Sequence, residues 1–264
     1  MNLLGIEAIF FDLDDTLVVE KAAAEAAFLA ACEHAEAKYG IPPQSLHEAV
    51  RRRARELWHA SPTHGYCRQI GISSWEGMWG RFLGDGPDLQ QLAQWIPTYR
   101  RDAWATALKD FEILDKSLAE TLASVFQKER RLRHMRFPDV DGCLDALRGK
   151  FRMSIITNGA SDLQREKIRG TRLESCFDPI IVAGDVGIAK PDIRIFNHVL
   201  QQVGVEPGKV VMVGDNLERD ILGARQVGIR GIWLNRAGEE IQSDVVPDDE
   251  ISSLRELPNR LGCS

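Results

Sequence analysis

The chain has 264 residues, 44% hydrophobic and 27% charged, the balance of a soluble globular protein long enough for one large α/β domain or a core with a smaller second domain. Its net charge of -6, from 33 basic and 39 acidic residues, includes no basic tail or stripe, which argues against a nucleic-acid polymer as partner, and no stretch is long and apolar enough for a bilayer. Five scattered cysteines, an odd number without paired ligand spacing, argue against a disulfide framework; with no signal-peptide pattern at the N-terminus, they predict a cytoplasmic protein.

Ile6 to Phe11 is apolar except for Glu7, the pattern of a strand buried on both faces, and it runs straight into Asp12, Asp14 and Asp15. Two carboxylates about 4 Å apart repel by about 4 kcal/mol at an effective dielectric of about 20, so a bound cation is their natural partner. After Leu17 the strand pattern stops. Glu20 to Lys38 is alanine-rich and closes at Gly40-Ile41-Pro42-Pro43, a helix stop. Ser45 with Glu48, and Ser73 with Glu76, have capping-box spacing. Leu89 to Trp104 reads as a helix disturbed at Pro97, and Leu114 to Arg133 as another with Leu118, Leu122, Val125 and Phe126 on one face. His64, Tyr66 and Arg68 fall in a loop-like stretch, while Trp58, Trp75, Trp79, Trp95 and Trp104 read as core. Residues 17–135 carry 16 basic against 15 acidic side chains and the remainder 17 against 24, so the acid is concentrated outside this region.

From Phe137-Pro138 onward helix and strand alternate. Val140 to Arg148 is helical, Phe151 to Ile156 a strand ending at Thr157-Asn158-Gly159, and Leu163 to Arg169 a helix. Ile180 to Val182 is a short strand, Pro191 suits the first position of a helix to Val203, and Val210 to Val213 is a strand ending in Gly214-Asp215. A helix over Leu217 to Gln226 and a strand over Gly231 to Leu234 follow; the acidic tail after Gly238 has no clear pattern. The predicted fold is therefore α/β, a Rossmann-like parallel sheet with helices on both faces plus an inserted all-helical domain. Residues 1–17 and 136–264 form the core in this reading, and 18–135 the helical cap.

Polar residues stand where an open parallel sheet binds ligands, beyond the carboxyl ends of the strands: Asp12 with Asp14, Thr157 with Asn158, Lys190, and Asp215 with Asp220. Each has an ordinary reading alone, as a turn junction, a turn, a surface lysine or a helix cap. Their recurrence along one sheet is what points to a site.

In chain order these motifs resemble the four motifs of the haloacid dehalogenase superfamily: Asp12-Leu13-Asp14-Asp15-Thr16, Thr157-Asn158-Gly159, Lys190-Pro191, and Gly214-Asp215 through Asp220. The helical insert is similar to the cap that one branch of that family carries between its first and second motifs. Within that branch, the second half of the chain most resembles small-molecule phosphatases such as the N-acetylneuraminate 9-phosphate phosphatases and nucleotidases. The resemblance implies Mg²⁺-dependent hydrolysis of a small-molecule phosphate ester by a monomer or homodimer. Asp12 is expected to attack phosphorus and Asp14 to act as acid and then base. Thr157, the Asn158 amide and Lys190 would hold the phosphoryl oxygens. Asp12, the Asp14 carbonyl and Asp215 would ligate Mg²⁺, with Asp220 in or near its second shell. A phosphomutase, a 2-haloacid dehalogenase and an idle binding module are the alternatives. The dehalogenases of the family lack an acid two residues after the nucleophile, whereas this chain has Asp14.

Overall fold

The structure, a computed structural model, describes residues 5–240 and 244–263. Residues 1–4 of the N-terminus, and residues 241–243 and 264 of the acidic tail, lie outside the described residues. The chain divides into two compact units. One comprises the described residues through Val19, Met135–Gly159 and those from Glu166 onward; the other comprises Glu20–His134 and Ala160–Arg165.

In the first unit the apolar run before Asp12 forms β1 (Ala8–Phe11), with all four residues buried. It lies inside a six-stranded sheet with β2 (Arg152–Thr157), β3 (Ile180–Val182), β4 (Val210–Gly214), β5 (Arg230–Leu234) and β6 (Asp249–Ile251), in the order β3-β2-β1-β4-β5-β6. Every strand pair is parallel. The chain builds outward from β1 to β3 and then returns to the other side of β1. The topological switch point therefore lies between β1 and β4. Phe11 is opposite both Ile155 and Val213, and the Asp12 N–H donates to the Val213 carbonyl at 2.9 Å, carrying the ladder one residue further. Ile9, Phe11, Ile155, Val211, Val213, Ile232 and Leu234 share one buried cluster with Val140 and Leu144, the side chains that a strand apolar on both faces must cover.

The helical unit contains α1 (Lys21–Tyr39), α2 (Pro43–His59), α3 (His64–Ile70), α4 (Ser74–Gly77), α5 (Pro87–Lys109) and α6 (Lys116–Arg131). α1 packs on α2 and α6, and α5 on α2 and α6. The Phe28 ring stacks 4.0 Å from Phe126 and 5.2 Å from His47, while Trp58, Trp95 and Tyr99 form a second aromatic cluster. Trp58, Trp79 and Trp104 are buried, and the fully buried Arg130 pairs with Glu20 and lies 4.9 Å over the Trp79 ring.

Several local expectations change. His64, Tyr66 and Arg68 belong to helix α3, closed by Gly71 in the left-handed region at φ 80°, and not to a loop. α5 runs through Pro97 without ending; a buried face of Leu92, Ile96, Tyr99, Ala103 and Trp104 offsets the roughly 3 kcal/mol of an interior proline. Ser73 and Glu76 do form a capping box. Ser45 and Glu48 do not, because α2 begins earlier, with Pro43 at a first-turn position that has no need of an N–H.

The sheet unit continues with α7 (Val140–Leu147), α8 (Ser161–Gly170, whose first turn groups with the helical unit), α9 (Ala183–Val186) and α10 (Ile193–Val203). α10 is capped by Asp192, whose side chain accepts the Arg194 N–H, so Pro191 precedes the helix. Residues Leu217–Leu222 form a π-helix that passes into α11 (Gly223–Gln226), where the sequence suggested an ordinary helix. The unpatterned tail supplies β6 and α12 (Leu257–Arg260). No described helix is long and apolar enough to cross a membrane.

A polar knot ties this tail to the exit of β1. Arg236 donates to both oxygens of Asp139, at 2.8 and 3.0 Å, and to the Thr16 carbonyl at 2.9 Å, and its guanidinium lies 3.9 Å from the Phe137 ring centre. Asp139 also accepts from the Ser253 hydroxyl and the Leu254 N–H. Burial acts to raise the Asp139 carboxyl, but Arg236 and these donors hold it below the usual carboxylate range. Asp139→Ala would strand Arg236 and is expected to cost about 3 kcal/mol, the usual loss on removing one partner of a buried pair. Urea unfolding checks this; an unchanged midpoint would contradict it.

Candidate active site

Asp12 leaves the sheet at the switch point and is only 7% exposed. The buried Lys190 ammonium donates to Asp12 Oδ1 and to Asp220 Oδ1, both at 2.6 Å. Asp215, directly after β4, brings a third carboxylate: one oxygen each of Asp12, Asp215 and Asp220 lies within 4.8 Å of the others. The segment after β4 that carries Asp215 and Asp220 is held from several sides. The Thr16 hydroxyl accepts the Asp215 N–H at 3.1 Å, Trp233 Nε1 donates to the Asp215 carbonyl at 2.9 Å, and Asp220 Oδ2 accepts the Asn216 N–H at 3.1 Å. Gly214 is required here, since a Cβ on it would stand 2.3 Å from Asp220 Oδ2. The side chain folds back over the strand end only because that Cβ is missing.

Thr157 closes β2 and is buried, its hydroxyl donating to the Asn158 carbonyl at 3.3 Å. The Asn158 side chain clasps the backbone of Lys190, with Nδ2 donating to the Lys190 carbonyl at 3.0 Å and Oδ1 accepting the Lys190 N–H at 2.8 Å. Its carboxamide thus fixes the lysine, a role that residue spacing alone does not reveal.

Asp14 stands apart from the carboxylate trio. Its two oxygens accept from Lys167 Nζ, at 3.0 and 2.9 Å. Lys167 was not among the residues singled out from the sequence. The available signal was its place on α8, four residues after Leu163 and next to Ile168, where helical periodicity asks for an apolar side chain.

The Asp12 carboxyl is raised to about 8: burial is the largest cause, Lys190 opposes it, and Asp220, Asp215 and Asp14 add to the rise. Burial lowers the Lys190 ammonium, but Asp12 and Asp220 outweigh it and hold the group above the usual lysine value. Three carboxylates thus gather at one point, two of them bonded to the Lys190 ammonium. A hard divalent cation with oxygen ligands fits this donor set and would cancel the excess negative charge; Asp12, Asp215 and Asp220 are the side chains that would hold it. The Asp14 side chain is outside that group, so any part for Asp14 as ligand falls to its main-chain carbonyl.

The family model described as haloacid dehalogenase-like hydrolase matches residues 6–228, which include every one of these groups. The chain belongs to the haloacid dehalogenase-like hydrolases. It is 33% identical to a phosphoserine phosphatase of Thermus thermophilus, over 96% of this chain and 98% of that protein. It is 31% identical to the N-acylneuraminate-9-phosphatase of Rattus norvegicus, over 98% of this chain and 94% of that one. Among solved structures, a 2-haloacid dehalogenase from Pseudomonas syringae is 30% identical, with a TM-score of 0.58, over 97% of this chain and 98% of that chain. The two enzymes first named accord with a hydrolase of phosphoric monoester bonds.

The raised Asp12 carboxyl has a consequence for stability. A group whose folded value lies above its unfolded value of about 4 favours folding fully only below that value, and the benefit is lost as pH rises toward about 8. Asp12→Asn, neutral throughout, is expected to melt above the unsubstituted protein in chelator at pH 8, by a few degrees. That advantage should shrink at pH 5 and on saturation with Mg²⁺. Differential scanning calorimetry checks it, and a lower melting point for Asp12→Asn at pH 8 in chelator would contradict it.

Proposed function

We propose that the protein is a Mg²⁺-dependent phosphatase that hydrolyses a small-molecule phosphate monoester through a phosphorylated Asp12. The observation that carries the reading is a buried carboxylate at the switch point, bonded to a buried lysine, grouped with two further carboxylates, and followed two residues later by Asp14.

In the first step an Asp12 oxygen attacks phosphorus. The Asp12 O–P bond forms as the ester P–O bond breaks, and the Asp14 carboxyl gives its proton to the departing alkoxide. In the second step water attacks the same phosphorus, Asp14 takes the water's proton, and inorganic phosphate leaves with Asp12 restored. Thr157 and Lys190 bind the phosphoryl oxygens, and Asn158 keeps Lys190 in place. Mg²⁺, on Asp12, the Asp14 carbonyl and Asp215 with Asp220 directly or through water, would neutralise phosphoryl charge and the carboxylate repulsion. These groups touch only the phosphoryl group and the cation, so we assign the choice of ester to the helical residues 18–135 acting as a cap. Phosphoserine and N-acylneuraminate 9-phosphate, named by the relatives' activities, are the first candidates.

The similarity to a 2-haloacid dehalogenase favours a second reading, displacement of halide from carbon by Asp12. Asp14 argues against it, because a halide leaves without needing a proton.

Inorganic phosphate release is measured across those two esters, other sugar phosphates, nucleotides and phosphoglycolate, with Mg²⁺ or excess chelator. The expected result is release that needs the metal and falls by at least about 1000-fold in Asp12→Asn. Chloride release from 2-chloropropionate without phosphate release would transfer the reading to the dehalogenase.

A further inference from the structure

Among the described residues, Lys167 is the one fully buried lysine that the reading above does not use. Its side chain has no exposure, whereas that of its partner Asp14 retains 25%. The carboxylate has access to water and the ammonium has none. A lysine is seldom taken out of water completely, because stripping the ammonium of its hydration costs several kcal/mol in effect, so its placement needs a strong compensating contact. That contact is the pair of charge-assisted bonds to both Asp14 oxygens, at 3.0 and 2.9 Å. An ammonium engaged with both oxygens fixes the plane of the carboxyl group as well as its location. The lysine arrives from α8 and the aspartate from the exit of β1, both within the sheet unit. The Asp14 side chain is thereby kept on Lys167 and out of the group formed by Asp12, Asp215 and Asp220.

We infer that Lys167 is a positioning residue for proton transfer: it holds the Asp14 carboxyl at the angle from which one oxygen meets the leaving group. The inference rests on the reading of Asp14 as the acid. When Asp14 gives its proton to the alkoxide, Lys167 is already bonded to the carboxylate that results, and it keeps that carboxylate aimed at the incoming water in the second step.

The test compares two esters by kcat/KM, which reports the chain of events up to formation of the Asp12 phosphate. 4-Nitrophenyl phosphate releases an oxygen that needs little protonation; the best alkyl phosphate from the substrate panel releases one that needs a proton. In Lys167→Met, kcat/KM should fall about 100-fold on the alkyl ester and less than about fivefold on the nitrophenyl ester, the lower end of what a positioned acid contributes. A purely structural lysine would lower both alike, and equal losses, or none, overturn the inference. Asp14→Asn is measured beside it. If Asp14→Asn discriminates between the esters and Lys167→Met does not, the inference about Lys167 fails while the role of Asp14 stands. If Asp14→Asn does not discriminate, the role of Asp14 fails and the inference goes with it. In the Asp14→Asn background, Lys167→Met should cost nothing more on either ester. Should Lys167→Met not fold, Lys167→Gln, which keeps an N–H donor without the charge, is read by the same comparison.

Discussion

The arrangement depends on one imbalance of charge: three carboxylates brought together at the carboxyl ends of two adjacent parallel strands, with a single buried ammonium between two of them. In water such a group would separate. Here it is held by elements that have their own reasons to be where they are. β1 and β4 are buried apolar strands in register, Thr16 and Trp233 pin the turn after β4, and Gly214 leaves room for Asp220 to fold back. The folding of the apolar sheet thus opposes the repulsion, and the residual field favours a divalent cation and, through it, an anionic substrate.

A second, separate charge pair completes the account. Asp14 is close in sequence to Asp12 and yet its side chain is committed to Lys167. Two carboxylates two positions apart are thereby given different environments, one buried among like charges and one half in water on its own lysine. That separation suits a nucleophile and a proton carrier, which must not exchange roles. Asn158 does comparable work for Lys190 from the end of β2, so one polar strand end serves to place the cation that bonds Asp12 at another.

Much of this was legible in the sequence. The five strands β1 to β5 were visible because each contains a short run of β-branched or other apolar residues, and in β1, β2, β4 and β5 that run gives way to a polar or glycine residue at the carboxyl end. β6 was not, because Asp249-Glu250-Ile251 buries only Ile251 and reads as charged tail; charged residues are common on an edge strand for the same reason that they hide it. Pro97 misled because the buried face of α5 outweighs the local preference, and Ser45 because Pro43 starts α2 first. The residues Asp12, Asp215 and Asp220 were named from spacing and are brought together by the parallel registers. Lys167 is hidden because a lysine on a helix is ordinarily solvated; its place on the apolar face of α8 is a weak signal, and the tertiary contact with Asp14 is what gives it a role.

The most direct test of the central claim is to find where the phosphoryl group goes. The enzyme is quenched in acid during turnover and treated with borohydride, which reduces an acyl phosphate to the alcohol, and the peptide containing Asp12 is read by mass spectrometry. The account predicts homoserine at position 12, dependent on substrate and on Mg²⁺, and none at Asp14, Asp215 or Asp220. Full turnover with Asp12 unreduced, or homoserine at another of these aspartates, would contradict it.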